Sequence, residues 1–186
     1  MPLLILPEFL ASVACARIRA AMDRGVDTPA EIWTDRYQVD ERVRRTFDVE
    51  VDPATVAEVE HALADARPRI ADFFGVPLIG QEGPGFLRYP CGGYYRLHCD
   101  TAPQWSGEFR RRISVVLFLS SAGEGDGAAC EGGSLRLHLL PDGHETSLPL
   151  DIPPVIGTLV AFPSIIPHEV LLVTAGVRDV VVDWFY

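Results

Sequence analysis

From about residue 84 the chain becomes a succession of short apolar runs separated by glycine, proline and aspartate. The runs are GFLRYP, YYRLH, RISVVLFLS, GSLRLHLL, TSLPLDI, GTLVAFP, HEVLLVT and RDVVVDWFY. Stretches of this length, rich in branched and aromatic residues and closed by turn formers, read as β-strands. Eight of them with no helical pattern between them predict a jelly roll or barrel. Residues 121–133, SAGEGDGAACEGG, are glycine-rich and polar and read as an exposed loop. This is not a phosphate loop, because it lacks the Gly-Lys-Ser/Thr ending and leads into a strand.

The front, about 1–80, has a different period. Residues 8–23 place Leu10, Val13, Ala14, Ile18 and Ala21 at helical spacing, with Gly25 as a stop. Residues 53–74 predict a second helix, with Asp52 as N-cap, Pro53 in the first turn and Pro68 expected to kink or split it. The stretch between the helices is weakly patterned and reads as loop with short strand. The 186 residues contain no linker or internal repeat. The expected organisation is one domain, 1–186, with a helical front and a β core over about 84–186.

Charge and cysteine usage narrow the function classes. Acidic residues outnumber basic ones 26 to 16, a net charge of −10 that disfavours nucleic acid or an anionic membrane as partner. There is no lysine, so any fixed cation in a site is a guanidinium. Cys15, Cys91, Cys99 and Cys130 have no CxxC spacing and read as reduced thiols of a cytoplasmic protein. The opening MPLLILPEF is too short an apolar run for a signal peptide, and no run has the length of a membrane span.

Within RLHCD, His98 and Asp100 lie two residues apart, so on a strand both side chains aim at one point while Cys99 points away. Alone, the triplet is more simply a hydrogen-bonded histidine beside a surface carboxylate. His168 opens a late strand that a jelly roll could bring alongside. Two imidazoles and a carboxylate make the facial triad of non-haem iron oxygenases, with coordination positions left open. Arg178, on an apolar strand, needs an anionic partner. Asp179 and Asp183 fall on the opposite face by alternation. Tyr89 precedes His98 across Gly92-Gly93, a turn expected to set the two segments side by side as adjacent strands. His61, His138 and His144 read as surface residues, and Arg110, Arg111 and Arg112 as a solvated strand end or a contact for an acidic substrate.

RYPCGGYYRLHCD, RRISVVLFLS, EGGSLRLH and IGTLVAFPSIIPHEVLLVTAGVRDVVVDWF together resemble, in order and spacing, the prolyl-4-hydroxylase-like branch of the 2-oxoglutarate/Fe(II)-dependent dioxygenases. LILPEFLASVACARI is similar to that family's opening strand and helix. The resemblance implies a double-stranded β-helix with N-terminal helices on its outer face. It implies iron held by His98, Asp100 and His168. It implies 2-oxoglutarate bound by Arg178, supported by Tyr89 and backed by Trp184. Ascorbate would be a supporting reductant. Phe118 departs from the pattern, standing where many relatives have a tyrosine, as does Val180, where a serine is frequent.

The implied activity is hydroxylation of an aliphatic C–H of a small molecule, amino acid or peptidyl residue, proline among them, with O2 consumed and succinate and CO2 released. The presence of Asp100 favours hydroxylation over halogenation. A cupin-like metal or ligand sensor without turnover is the alternative, and a zinc or manganese isomerase on the same barrel is a third reading.

Overall fold

The computed structural model describes residues 3–33, 36–101, 107, 110–123, 129–140 and 146–186. The front of the chain runs β1 (Leu4–Leu6), helix α1 (Ser12–Met22), β2 (Val26–Pro29), β3 (Ile32–Trp33), β4 (Tyr37–Gln38), β5 (Arg44–Arg45), β6 (Phe47–Glu50) and helix α2 (Pro53–Phe74). Strands follow: β7 (Gly85–Tyr89), β8 (Tyr94–His98), β9 (Ile113–Phe118), β10 (Ser121–Ala122), β11 (Ala129–Gly132) and β12 (Leu135–Leu139). The last are β13 (Leu148–Ile152), β14 (Leu159–Pro163), β15 (His168–Val170), β16 (Val173–Gly176) and β17 (Arg178–Phe185).

Among the described residues, a seven-stranded sheet has the order β1-β14-β9-β17-β7-β6-β2 and a five-stranded sheet the order β13-β12-β15-β8-β5. A three-stranded sheet, β10-β11-β16, and the β3-β4 pair complete the strand set. The two large sheets face each other across a core that includes Val116, Phe118, Val160 and Phe162 from one and Leu135, Leu137 and Ile152 from the other. A second core joins the outer face of the seven-stranded sheet to the helices, with Ile18, Met22, Val59, Leu63 and Ile70 against Leu117, Leu159, Val181 and Phe185. Each fully buried side chain of this kind contributes roughly 2 kcal/mol. The fold is a double-stranded β-helix with both helices on its outer face.

All eight expected strands form, and one is cut. HEVLLVT becomes β15 and β16 because Leu171 and Leu172 leave the ladder, and the chain passes from the five-stranded to the three-stranded sheet. The supposed loop 121–133 contributes β10 and β11, while 124–128 lie outside the described residues. Small residues serve close packing there: a Cβ on Gly132 would run into the Leu172 carbonyl, and one on Gly176 of the neighbouring β16 into the Ala129 carbonyl.

Helix α1 begins at Ser12 rather than residue 8, since Leu4–Leu6 pair with β14 and Leu10 N–H bonds the Gly157 carbonyl. Helix α2 is capped by Asp52, which accepts from Thr55 N–H at 3.0 Å. It runs through Pro68 as one element. A proline removes one helix hydrogen bond, while the buried stripe Val59, Leu63, Ala66 and Ile70 spans it and holds both halves on the same sheet.

The turn at Gly92-Gly93 acts differently from expectation. It does not fold β7 and β8 into a hairpin. β7 pairs with β17 and β6, whereas β8 pairs with β15 and β5, so the turn carries the chain between facing sheets. Gly92 has φ 82°, and a Cβ on Gly93 would meet the Pro90 carbonyl at 2.8 Å.

Candidate metal centre and its cavity

The three expected ligands converge. β8 and β15 are antiparallel neighbours with His98 directly opposite His168, and Asp100 follows just beyond the end of β8. The ligand atoms of His98, Asp100 and His168 all lie within 4.8 Å of one another. His98 Nε2 is 3.6 Å from Asp100 Oδ1, and His168 Nε2 is 3.4 Å from Asp100 Oδ2.

Each ligand is oriented by a fixed partner. His98 Nδ1 lies 2.8 Å from the Arg96 carbonyl and His168 Nδ1 2.9 Å from the Ile166 carbonyl. A carbonyl only accepts, so both rings carry the proton on Nδ1 and present the Nε2 lone pair inward. The Ser114 hydroxyl donates to Asp100 Oδ2 at 2.7 Å. Ser164 Oγ lies 2.8 Å from Ser114 Oγ and donates to it, because the single Ser114 proton is already engaged. The Asp100 backbone N–H bonds the Ser164 carbonyl.

Burial, with His168 alongside, pulls the His98 pKa down to about 3. Burial opposes ionisation of Asp100, but His168, His98, Ser114 and Trp184 outweigh it and hold the carboxyl below its usual range. A neutral imidazole beside a carboxylate is the state that binds a divalent metal.

Arg178 opens β17 on the opposite sheet, paired in register with Tyr89. It is 1% exposed, yet its Nε and Nη1 have no partner. Burial pulls its pKa below the ordinary guanidinium value. The acids on its own strand are committed elsewhere, as alternation requires. Asp179 accepts from Arg88 and Arg19, and Asp183 from Gln81 and the Gly83 N–H. The Arg178 guanidinium carbon lies 4.9 Å from the Tyr89 ring centroid and 5.4 Å from that of Phe118. Phe118 therefore supplies a ring face where a tyrosine would add a hydroxyl. One further strand, β16, intervenes between His168 and Arg178 than their spacing suggests.

Both features border one cavity of about 940 Å³ between the sheets. Arg178, Val180, Val182 and Trp184, the inward residues of β17, line it. Trp184 lies on the triad side: it helps hold the Asp100 carboxyl low and carries the Arg111 guanidinium 3.7 Å above its ring. Arg111 is itself in a double hydrogen bond with Glu82, both contacts at 2.6 Å. His138 bonds Glu169 and His61 lies near Asp65 at the surface, away from the triad; His144 and Trp105 lie outside the described residues.

Sequence reading missed three residues here. Ser114 lies in an apolar run whose inward positions were not resolvable. Tyr95 stacks on His98 at 3.6 Å between ring centroids, and Arg44 covers Tyr95 from β5. Arg44 sits in the weakly patterned front, where no local signal marks it.

The geometry fits a divalent iron and a dicarboxylate keto acid. The triad leaves coordination positions open, and a dry guanidinium with two idle donor nitrogens suits a carboxylate. A family model described as 2OG-Fe(II) oxygenase superfamily matches residues 84–186. A PKHD-type hydroxylase from Stenotrophomonas maltophilia is 30% identical over 98% of this chain and 77% of its own length. One from Thermosynechococcus vestitus is 37% identical, but the match covers 53% of this chain and 40% of that protein. A Pseudomonas putida prolyl-4-hydroxylase structure aligns with a TM-score of 0.72 and 27% identity, covering 98% of this chain and 91% of the other. A Trichoplax adhaerens prolyl hydroxylase, at 20% identity and a TM-score of 0.78 over 99% and 83% of the two chains, shares the fold.

Proposed function

Because this chain belongs to the 2OG-Fe(II) oxygenase superfamily, we propose that it hydroxylates an aliphatic C–H bond, with 2-oxoglutarate converted to succinate and CO2. The observation that carries the proposal is the shared cavity, which combines the His98-Asp100-His168 triad with a buried guanidinium whose Nε and Nη1 have no partner.

His98, Asp100 and His168 would hold Fe(II), and Arg178 with Tyr89 would hold the distal carboxylate of 2-oxoglutarate. When bound, iron and keto acid supply the oxidising power, with one atom of O2 going to succinate and the other to the substrate's C–OH. The chain's own residues provide positioning. The Arg96 and Ile166 carbonyls keep both imidazoles in the metal-binding tautomer. Ser114 and Trp184 stabilise the Asp100 carboxylate. Val180, Val182 and Leu87 line an apolar wall that limits water around the reacting carbon. Trp184 is assigned to the triad side of the cavity.

Proline enters through the relatives' names, so L-proline and a prolyl peptide are the first substrates to test. The four free thiols suit a reducing cytoplasm, and no helix among the described residues is long and apolar enough to cross a membrane. The test is anaerobic loading with Fe(II) and 2-oxoglutarate, then O2, with succinate measured against a substrate panel. Succinate release that disappears in His168→Ala supports the reading. Metal binding with no 2-oxoglutarate affinity would instead indicate a sensor.

A further inference from the structure

Among the described residues, four side chains bury a polar atom without a partner: Arg44 at Nε, Gln81 at Oε1, Thr101 at Oγ1 and Arg178 at Nε and Nη1. Arg44, Thr101 and Arg178 line the same cavity. The cosubstrate accounts for Arg178. A threonine hydroxyl can rotate to a new partner, but a guanidinium N–H is fixed in its plane.

Arg44 is held in place by its neighbours. It pairs in register with Tyr95 on β8, and its guanidinium carbon lies 4.8 Å from the Tyr95 ring centroid. The contact continues to the metal site, since Tyr95 stacks on His98. Nη1 donates to the Glu31 carbonyl at 2.9 Å and fixes one side of the fork. Arg17, Arg19, Arg42, Arg88, Arg111 and Arg136 each have a carboxylate within 4.0 Å. Among the described residues, no such ion pair joins Arg44. Arg44 acts on the Asp48 carboxyl through space only.

We propose that Arg44 anchors a free carboxylate of the primary substrate. The substrate is then a small carboxylate-bearing molecule, such as a free amino acid or the C-terminal residue of a peptide, rather than an internal peptide residue. This rests on the dioxygenase reading and deepens it. Two guanidinium anchors would stand on facing sheets, Arg178 for the cosubstrate and Arg44 for the substrate. The Arg44 anchor is two stacking distances from a ligand imidazole, a reach suited to a compact molecule. A partly dry guanidinium gains most from a charged acceptor that meets its fork.

The test uses protein loaded with Zn(II) and 2-oxoglutarate, which cannot turn over. The Arg44 Nε–H resonance is followed in ¹⁵N-labelled protein titrated with acetate, L-proline and L-leucine, and with acetamide, L-prolinamide and L-leucinamide. Carboxylates should shift it and amides should not. Arg44→Met should weaken the best carboxylate at least about tenfold and leave 2-oxoglutarate affinity within about twofold. Arg44→Lys should recover part of the loss and decides the matter if the methionine variant does not fold. A capped dipeptide, N-acetyl-prolyl-leucinamide, separates internal residues from free carboxylates. The proposal is overturned if no carboxylate shifts the resonance, if amides bind as well, or if Arg44→Met weakens 2-oxoglutarate equally. Failure of the wild type to bind 2-oxoglutarate at all would overturn the dioxygenase reading itself.

Discussion

The Ser114 hydroxyl donates to the Asp100 carboxylate at 2.7 Å, although 14 residues separate them and Ser114 is 2% exposed. The link makes β9, in the seven-stranded sheet, a support for a ligand carried by the five-stranded one. Ser114→Ala should lower metal affinity about 10- to 100-fold while the fold persists. Calorimetric titration with Mn(II) or Ni(II) measures this, and unchanged affinity would assign Ser114 to packing alone.

Arg178 combines complete burial with idle donors, so it costs stability until a carboxylate arrives. Arg178→Met is expected to raise the melting temperature of the protein without cosubstrate. It should also abolish the stabilisation that 2-oxoglutarate gives the wild type. The apparent KM for 2-oxoglutarate should rise by a factor of about 30 to 1000, corresponding to about 2–4 kcal/mol. Thermal melts with and without the keto acid check both arms.

Phe118 presents its ring 5.4 Å from the Arg178 guanidinium carbon. Phe118→Tyr adds a donor beside the proposed cosubstrate carboxylate and should tighten 2-oxoglutarate by about 1 kcal/mol, roughly fivefold. The same hydroxyl would be unpaired in the unliganded protein, so stability there should fall. Binding and melting measured on one variant must move in opposite directions for this account to hold.

Asp183 is fully buried, and burial raises its pKa to about 6 from the ordinary 3.8. The folded state therefore holds a proton more tightly than the unfolded chain. Its stabilising contribution is complete below about pH 4 and is lost as pH rises through 6. Asp183→Asn keeps an acceptor for the Gly83 and Trp184 N–H groups and can donate to Gln81 Oε1 if that amide turns. The variant should gain about 1–2 kcal/mol near pH 7.5 relative to its change near pH 5. Chemical denaturation at the two pH values would refute this if the difference between them were the same in both proteins.

Local pattern carried much of the architecture. Alternation along RDVVVDWFY separated Arg178 from Asp179 and Asp183, and the structure sends both acids to partners on the outer side. The Asp52 cap, the extent of α2 and the eight strand segments were also legible, because each depends on neighbours in the chain. The pairing of β7 with β8 was misjudged. A Gly-Gly turn permits a hairpin but equally permits a change of sheet, and only the demand for partners on both sheets chooses. The break in HEVLLVT had no marker either, since Leu171 and Leu172 are as apolar as the residues around them.

By itself the sequence determined which residues bring the chemistry: a His-x-Asp on a strand, a late histidine and an arginine on an apolar strand, in an order that marks the family. It did so because side-chain direction on a strand is set by a two-residue period within the chain. The tertiary structure alone decided that His98 faces His168, that Ser114 reaches Asp100 from the other sheet, and that Arg44 and Arg178 are left with idle donors in one cavity. Those relations depend on strand order and on how closely two sheets approach, and both arise from packing between segments far apart in the chain.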